Sequence, residues 1–192
     1  MDHPLAYLIT FSCYGSHLHD SEDGSVDRNH NVLGGPCVAP EPGLLRARAM
    51  RMAAPSYTLN NARRQVVLAA IRQVCRHREW PLIAAHVRMT HVHVVVSAGV
   101  APEIPMQAFK AYASRSLGEE GIAPCKRWTR HGSTRYLWQK EDVAGAVGYV
   151  IDGQGEPMAV FLNTAPYCRG SEGCGRIGTW LIQEEGCLVF AA

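Results

Sequence analysis

The stretch Met89-Thr90-His91-Val92-His93-Val94-Val95-Val96 constrains this chain more than any other. Its β-branched residues favour a pleated strand. Side chains alternate along a strand, so residues two apart share a face. His91 and His93 therefore stand side by side, and Val92 turns into the opposite layer. Imidazole nitrogens are good ligands for divalent metals, and two on one face make a ready pair. Polar decoration of a strand is the other reading this spacing leaves open.

At 192 residues, the chain is long enough for one domain with a core, or one domain plus appendages. No apolar run approaches the ~20 residues needed to cross a bilayer. The opening Met1-Asp2-His3-Pro4 lacks the basic region of a signal peptide. The expectation is a cytoplasmic protein without membrane association. The formal net charge is only +2, yet it is unevenly spread. Nine arginines face one acid, Glu79, between Leu44 and Thr90, and seven Lys/Arg face Glu119 and Glu120 between Met106 and Lys140. A basic middle suits a polyanion such as nucleic acid, and solvated helix faces are the bland alternative. The seven cysteines contain no CxxC pair, so free thiols are expected rather than a disulfide framework or a zinc knuckle of Cys168, Cys174 and Cys187.

Ala6–Cys13 reads as a buried first strand. Residues 14–55, rich in Gly, Pro, His, Asp and Asn, read as a long loop or insertion, and His17-Leu-His19-Asp20 within it reads as loop structure. Thr58 is the expected cap of a helix running to about Arg78, with Val67, Ile71, Val74 and Cys75 at helical spacing. Pro81–Met89 and His91–Ala98 form a predicted antiparallel hairpin turning at Thr90. Met106 to about Leu117 is a second helix, Arg135–Gln139 a short fourth strand, and Glu141–Ile151 a third helix ended by Gly153 and Gly155. This order is βαββαβ, an α+β, ferredoxin-like arrangement in which an antiparallel sheet carries helices on one face and a further helix follows. The expected domain is 1–158, with a tail of unassigned role over 159–192.

The quoted segments carry a resemblance. Tyr-Leu-Ile-Thr-Phe in the first strand, Val-Arg-Met-Thr-His-Val-His-Val-Val-Val at 87–96 and Phe-Lys-Ala-Tyr-Ala-Ser-Arg at 109–115 come in order. Arg-His-Gly-Ser-Thr-Arg-Tyr-Leu-Trp at 130–138 and Tyr-Val-Ile-Asp-Gly-Gln-Gly at 149–155 follow. Together they resemble the HUH single-strand transposases of the IS200/IS605 type, especially the REP-associated tyrosine transposases. The resemblance implies that His91 and His93 are metal ligands for Mg²⁺ or Mn²⁺. It also implies that Tyr149 attacks a phosphodiester of single-stranded DNA, forming a 5′-phosphotyrosine link and freeing a 3′-hydroxyl. The DNA would carry hairpin or palindromic ends, and the family includes homodimers.

Where the family commonly places Gln or Asn, four residues after the tyrosine, this chain has Gly153. Gln154 is the expected third ligand, reached through a bulged turn, with Asp152 and His131 as alternatives. Tyr112 competes with Tyr149 as nucleophile. Lys110, Arg115, Arg127, Arg130 and Arg135 are expected phosphate contacts, and Trp128 and Trp138 are either base-stacking or core residues. A DNA hairpin-binding protein without catalysis is the alternative function. A His-triad hydrolase does not fit, because position 95 is Val95.

Overall fold

The computed structural model describes residues 3–16, 52, 54–121, 125–164, 181–182 and 188–189. Five strands form one antiparallel sheet: β1 (Ala6–Cys13), β2 (Leu82–Val87), β3 (His91–Val96), β4 (Trp128–Leu137) and β5 (Ala159–Leu162), in the order β4-β1-β3-β2-β5. Helix α1 (Asn61–His77) joins β1 to β2, α2 (Glu103–Glu119) joins β3 to β4, and α3 (Lys140–Ile151) lies between β4 and β5. The order is βαββαβ followed by α3 and β5, the expected α+β arrangement. A separate two-stranded ladder pairs β6 (Leu181–Ile182) with β7 (Leu188–Val189). Among the described residues no helix is long and apolar enough to cross a membrane.

The period-two pattern of β1 and β3 divides the sheet into two unlike faces. On the first, Ile9, Phe11, Val92 and Val94 are fully buried against Val67, Ile71 and Val74 of α1 and Phe109, Ala113 and Leu117 of α2. On the second, Ala6, Ala84, Val95 and Leu137 pack against Ala146, Val147 and Val150 of α3. Beyond Val95 on that second face, the β3 positions are His93 and His91.

Several boundaries differ from the sequence expectation, each for a local reason. Helix α1 is capped by Asn60, not Thr58, because the Asn60 side chain accepts the Arg63 backbone N–H at 2.9 Å. Helix α2 starts at Glu103, so Pro105 falls in its first turn, where a backbone N–H has no intrahelical partner to lose. Strand β4 spans ten residues rather than the expected 135–139. It is a terminal strand of the sheet, and its run of exposed Arg, His, Gly and Ser hides the apolar alternation that reveals inner strands. Trp138 and Gln139 have left the strand and donate their backbone N–H groups to Asp142 Oδ2 at 3.3 and 3.2 Å, starting α3. The division expected at 158 falls one residue before β5, which pairs with β2 from Val87↔Ala159 to Ala84↔Leu162. His17, His19 and Asp20, and Cys168, Cys174 and Cys187, lie outside the described residues.

Candidate metal and nucleophile site

Strand β3 carries His91 and His93 on the α3 face, as alternation requires, with ring centroids 4.8 Å apart. His93 is buried, and its Nδ1 lies 2.8 Å from the Thr10 hydroxyl on the neighbouring strand, where Thr10 and His93 are in register. His93 Nε2 is buried with no hydrogen-bond partner. A buried nitrogen of this kind normally has a partner. Burial pushes the His93 pKa down to about 4, with His91 adding to the effect, Gln154 alongside opposing it, and His86 and Arg88 lowering it further. The ring is therefore neutral at neutral pH. In the tautomer that donates Nδ1–H to the Thr10 hydroxyl, the Nε2 lone pair is left for an electrophile. His91 Nδ1 is likewise engaged, 3.1 Å from the Thr90 hydroxyl.

The end of α3 brings the remaining groups. Its last carbonyls, which a helix leaves without partners, are each taken up differently. Gly148 O accepts the N–H of Asp152 at 2.8 Å and that of Gly153 at 3.2 Å, the second a bond reaching back five residues. This widened turn places position 154, not 153, one turn beyond Tyr149. A side chain at 153 has no room, since a Cβ there would lie 2.8 Å from the Tyr149 carbonyl oxygen. Gln154 donates its Nε2 to that same oxygen at 3.1 Å, which leaves the amide oxygen as the acceptor beside His93. Val150 O meets His86 Nδ1 at 2.9 Å. A carbonyl only accepts, so His86 carries its proton on Nδ1, and its Nε2 accepts the Met158 N–H at 3.2 Å. His86 lies opposite His93 across the β2–β3 pair, so it ties the end of α3 to the strand beside the histidine pair.

Tyr149 projects from this helix end, half exposed, with its ring edge-to-face on His93 at 5.4 Å between centroids. His91, His93, Tyr149 and Gln154 line one open groove of about 580 Å³, together with Thr10, Ser12 and residues 129–133 of β4. The donor set suits a divalent cation: two imidazoles, one amide oxygen and the partially negative C-terminal end of a helix. Among the described residues no three His, Cys, Asp or Glu side chains come together as a metal site. Gln154 offers an uncharged oxygen beside the two histidines.

The other expected site residues separate into three groups. Arg130 and His131 lie on the β4 wall of the groove, and Arg135 is exposed farther along the same strand. Asp152 is the C-cap residue of α3 and does not line the groove. Tyr112 and Arg115 belong to α2, on the opposite face of the sheet, where the Arg115 guanidinium sits 5.2 Å from the Tyr112 ring centroid. They are thus kept apart from the histidine pair by the sheet itself. Lys110 corrects an expectation outright. It is 7% exposed, and its ammonium donates to the carbonyls of Thr129, Arg130 and His131 at 3.1, 3.4 and 3.2 Å, fastening α2 to β4 rather than facing a phosphate. Arg127 is also buried. Trp128 is a core residue, donating Nε1 to Ser114 Oγ at 2.9 Å and meeting Phe11 edge-on.

Thr10 and His86 were missed by sequence reasoning. Both are single polar residues inside otherwise apolar strands, Ala-Tyr-Leu-Ile-Thr-Phe-Ser-Cys and Leu-Ile-Ala-Ala-His-Val, and both share the parity of the site face. That signal was available once the three strands were aligned.

No protein-family model matches the chain, and no curated protein matches it. Among solved structures, it is similar to a REP-associated tyrosine transposase bound to a REP hairpin, with a TM-score of 0.46, 13% identity, and coverage of 79% of this chain and 67% of that one. It is also similar to a crystal structure of a Deinococcus radiodurans protein assigned as a transposase, with a TM-score of 0.40, 12% identity, and coverage of 78% and 91%.

Proposed function

We propose that this chain is a metal-dependent strand transferase that cleaves and rejoins single-stranded DNA through Tyr149. One observation carries the reading: a tyrosine hydroxyl group and an amide from the end of one helix meet two strand-borne imidazoles on one open groove. All belong to one copy of the chain. His91, His93 and Gln154 would hold a Mg²⁺ or Mn²⁺ ion, which when bound neutralises phosphate charge and polarises the scissile phosphodiester.

The Tyr149 oxygen attacks phosphorus, a new P–O bond forms, and the bond to the 3′-oxygen breaks. The phenolic proton is lost and the departing 3′-oxygen gains one, so the step is balanced in protons and leaves a 5′-phosphotyrosine and a 3′-hydroxyl. Attack by a 3′-hydroxyl on that ester reverses the chemistry and joins strands without an external energy source. Thr10 holds the His93 ring, and His86 holds the helix end that presents Tyr149. Arg130 on the groove wall offers a phosphate contact. DNA with hairpin or palindromic ends is the substrate the sequence resemblance implies.

A denaturing gel tests the proposal. Labelled single-stranded DNA bearing the gene's flanking inverted repeats is incubated with the protein and Mn²⁺. The expected result is a covalent protein–DNA band that disappears with chelator and in Tyr149→Phe, and persists in Tyr112→Phe. Binding on a native gel without any covalent band would replace this reading with that of a non-catalytic hairpin binder.

A further inference from the structure

The aromatic pair Tyr136 and Trp138 has no part in the groove or in either core. Both rings are large and open to solvent, 45% and 52% exposed. They are nearly parallel, 15° apart with centroids 6.2 Å distant, and Tyr136 is braced from below by the edge-to-face ring of Tyr7 at 5.2 Å. Adjacent exposed rings that brace one another are the kind of surface that marks an interaction site. The rings sit at the end of β4, the same terminal strand whose residues 129–133 form one wall of the groove, but Tyr136 is in register with Tyr7 and so lies on the α1–α2 face, across the strand from the groove. Charge on this segment is one-sided: from 121 to 140 the chain has Lys126, Arg127, Arg130, Arg135 and Lys140 and no acidic residue. Arg127 is buried, but Arg130, Arg135 and Lys140 are exposed along the strand and just after it.

We propose that a single-stranded DNA track leads from the groove around the open edge of β4, which no further strand among the described residues covers, to Tyr136 and Trp138 as its base-stacking platform. Unpaired bases offer flat π-faces that a braced aromatic pair can stack upon, whereas a duplex hides those faces within its own stack. Exposed cations spaced along the strand meet the phosphates, as the combination of stacking rings and positive charge requires. About five residues of extended chain separate Ser133 from Trp138, roughly 17 Å at ~3.3 Å per residue, the reach of a few stretched nucleotides. Glu141 and Asp142 follow at the start of α3, and Asp142 is occupied with the backbone N–H groups of Trp138 and Gln139. The track rests on the proposed DNA chemistry for its substrate class, but its physical basis is independent of Tyr149 and of any metal.

The test is therefore a binding measurement made in chelator on the full chain carrying Tyr149→Phe, so that neither cleavage nor metal enters. Fluorescence anisotropy compares a labelled single-stranded 20-mer with the same sequence as a blunt duplex. In that background, Trp138→Ala is expected to weaken single-strand binding by about tenfold or more, in keeping with the loss of one base-stacking contact. Duplex binding is expected to stay within twofold. Trp138→Phe should retain most single-strand affinity and Trp138→Leu should not, because leucine keeps apolar area but has no π-face. Circular dichroism checks that each variant is folded. Equal single-strand affinity in Trp138→Leu and the parent would overturn the platform. So would a parent that elutes as a dimer and becomes monomeric on Trp138→Ala, which would make the ring pair a self-association surface. A failed covalent-adduct experiment with intact Trp138-dependent binding would remove the chemistry and leave the track standing.

Discussion

The two faces of the sheet divide the work of this molecule. Under α1 and α2, the β1 and β3 side chains are closed off from solvent, with Phe11, Val92 and Val94 fully buried. Under α3, apolar packing covers one half of the face, through Ala6, Ala84 and Val95. The other half holds Thr10, His93 and His91 beside the groove. Val92 and His93 are neighbours in sequence and have opposite tasks. A strand can serve both because alternation sends them to different surroundings. The contrast shows where polar cost is tolerated: the closed face bears the stability, and this allows the other to keep a buried nitrogen without a partner.

The largest expected effect on stability is on the closed face. Phe109→Ala should cost about 3–5 kcal/mol, as for other large aromatic truncations in a core, measured by urea unfolding. It should leave any Mn²⁺-induced stabilisation of the remaining folded protein in place. A cost below 1 kcal/mol would erase the contrast between the faces. On the site face, His93→Ala should change the metal-free unfolding midpoint little. It should abolish cation stabilisation, which for the parent at a hundredfold excess over Kd is about 2.7 kcal/mol, and should abolish the covalent adduct. Undiminished Mn²⁺ stabilisation in that variant would move the cation elsewhere.

Lys110 sharpens the comparison, because it bridges α2 to β4. Lys110→Ala leaves carbonyls of the terminal strand without their donor, and roughly 1–3 kcal/mol of stability should go with it. Single-strand affinity of the folded fraction should change less than threefold. A selective loss of DNA binding at full stability would return this lysine to the phosphate role that its sequence context predicts.

The pH profile of the metal-free protein separates the faces by sign. His93 titrates near 6.5 in the unfolded chain and at about 4 when folded, and burial lowers His86 as well. The unfolded state therefore binds protons that the folded state refuses, and stability falls as pH drops from 6.5 towards 4. On the closed face, burial raises the thiols of Cys13 and Cys75 from 9.0 to about 12. Those groups stabilise the fold fully below pH 9 and lose that contribution as pH rises towards 12. Thermal melts across both windows should show His93→Ala flattening only the acid limb and Cys75→Ala only the alkaline one. A variant that flattened the opposite limb would break the assignment.

Much of the fold was legible because its inner strands are short, apolar and bounded by turns. The pattern of β3 identifies both its strand and its faces, and helical spacing identifies α1, α2 and α3. Strand β4 was read too short because a terminal strand bears polar residues on an open border. Strand β5 was not read because four residues after Pro157 carry too little periodic signal to stand apart from the tail. In the site, His91 and His93 follow from spacing alone. The place of Gln154 depends on a widened helix end and on the crowding at Gly153, neither of which a spacing rule contains.

By itself, the sequence determined that two imidazoles share one strand face, that three amphipathic helices and a buried hairpin surround them, and that basic charge collects in the middle of the chain. These are local consequences of side-chain period and composition. Only the tertiary structure decided which face α3 covers, that Tyr149 meets His93 while Tyr112 lies across the sheet, and that Lys110 is a fastening rather than a phosphate contact. Those outcomes depend on which strands become neighbours: pairing in the order β4-β1-β3-β2-β5 sets Ala6 opposite Leu137, and Thr10 beside His93, 83 positions on. No local pattern contains such a distance. It arises when burying the large apolar residues on one face leaves a single arrangement for the polar ones on the other.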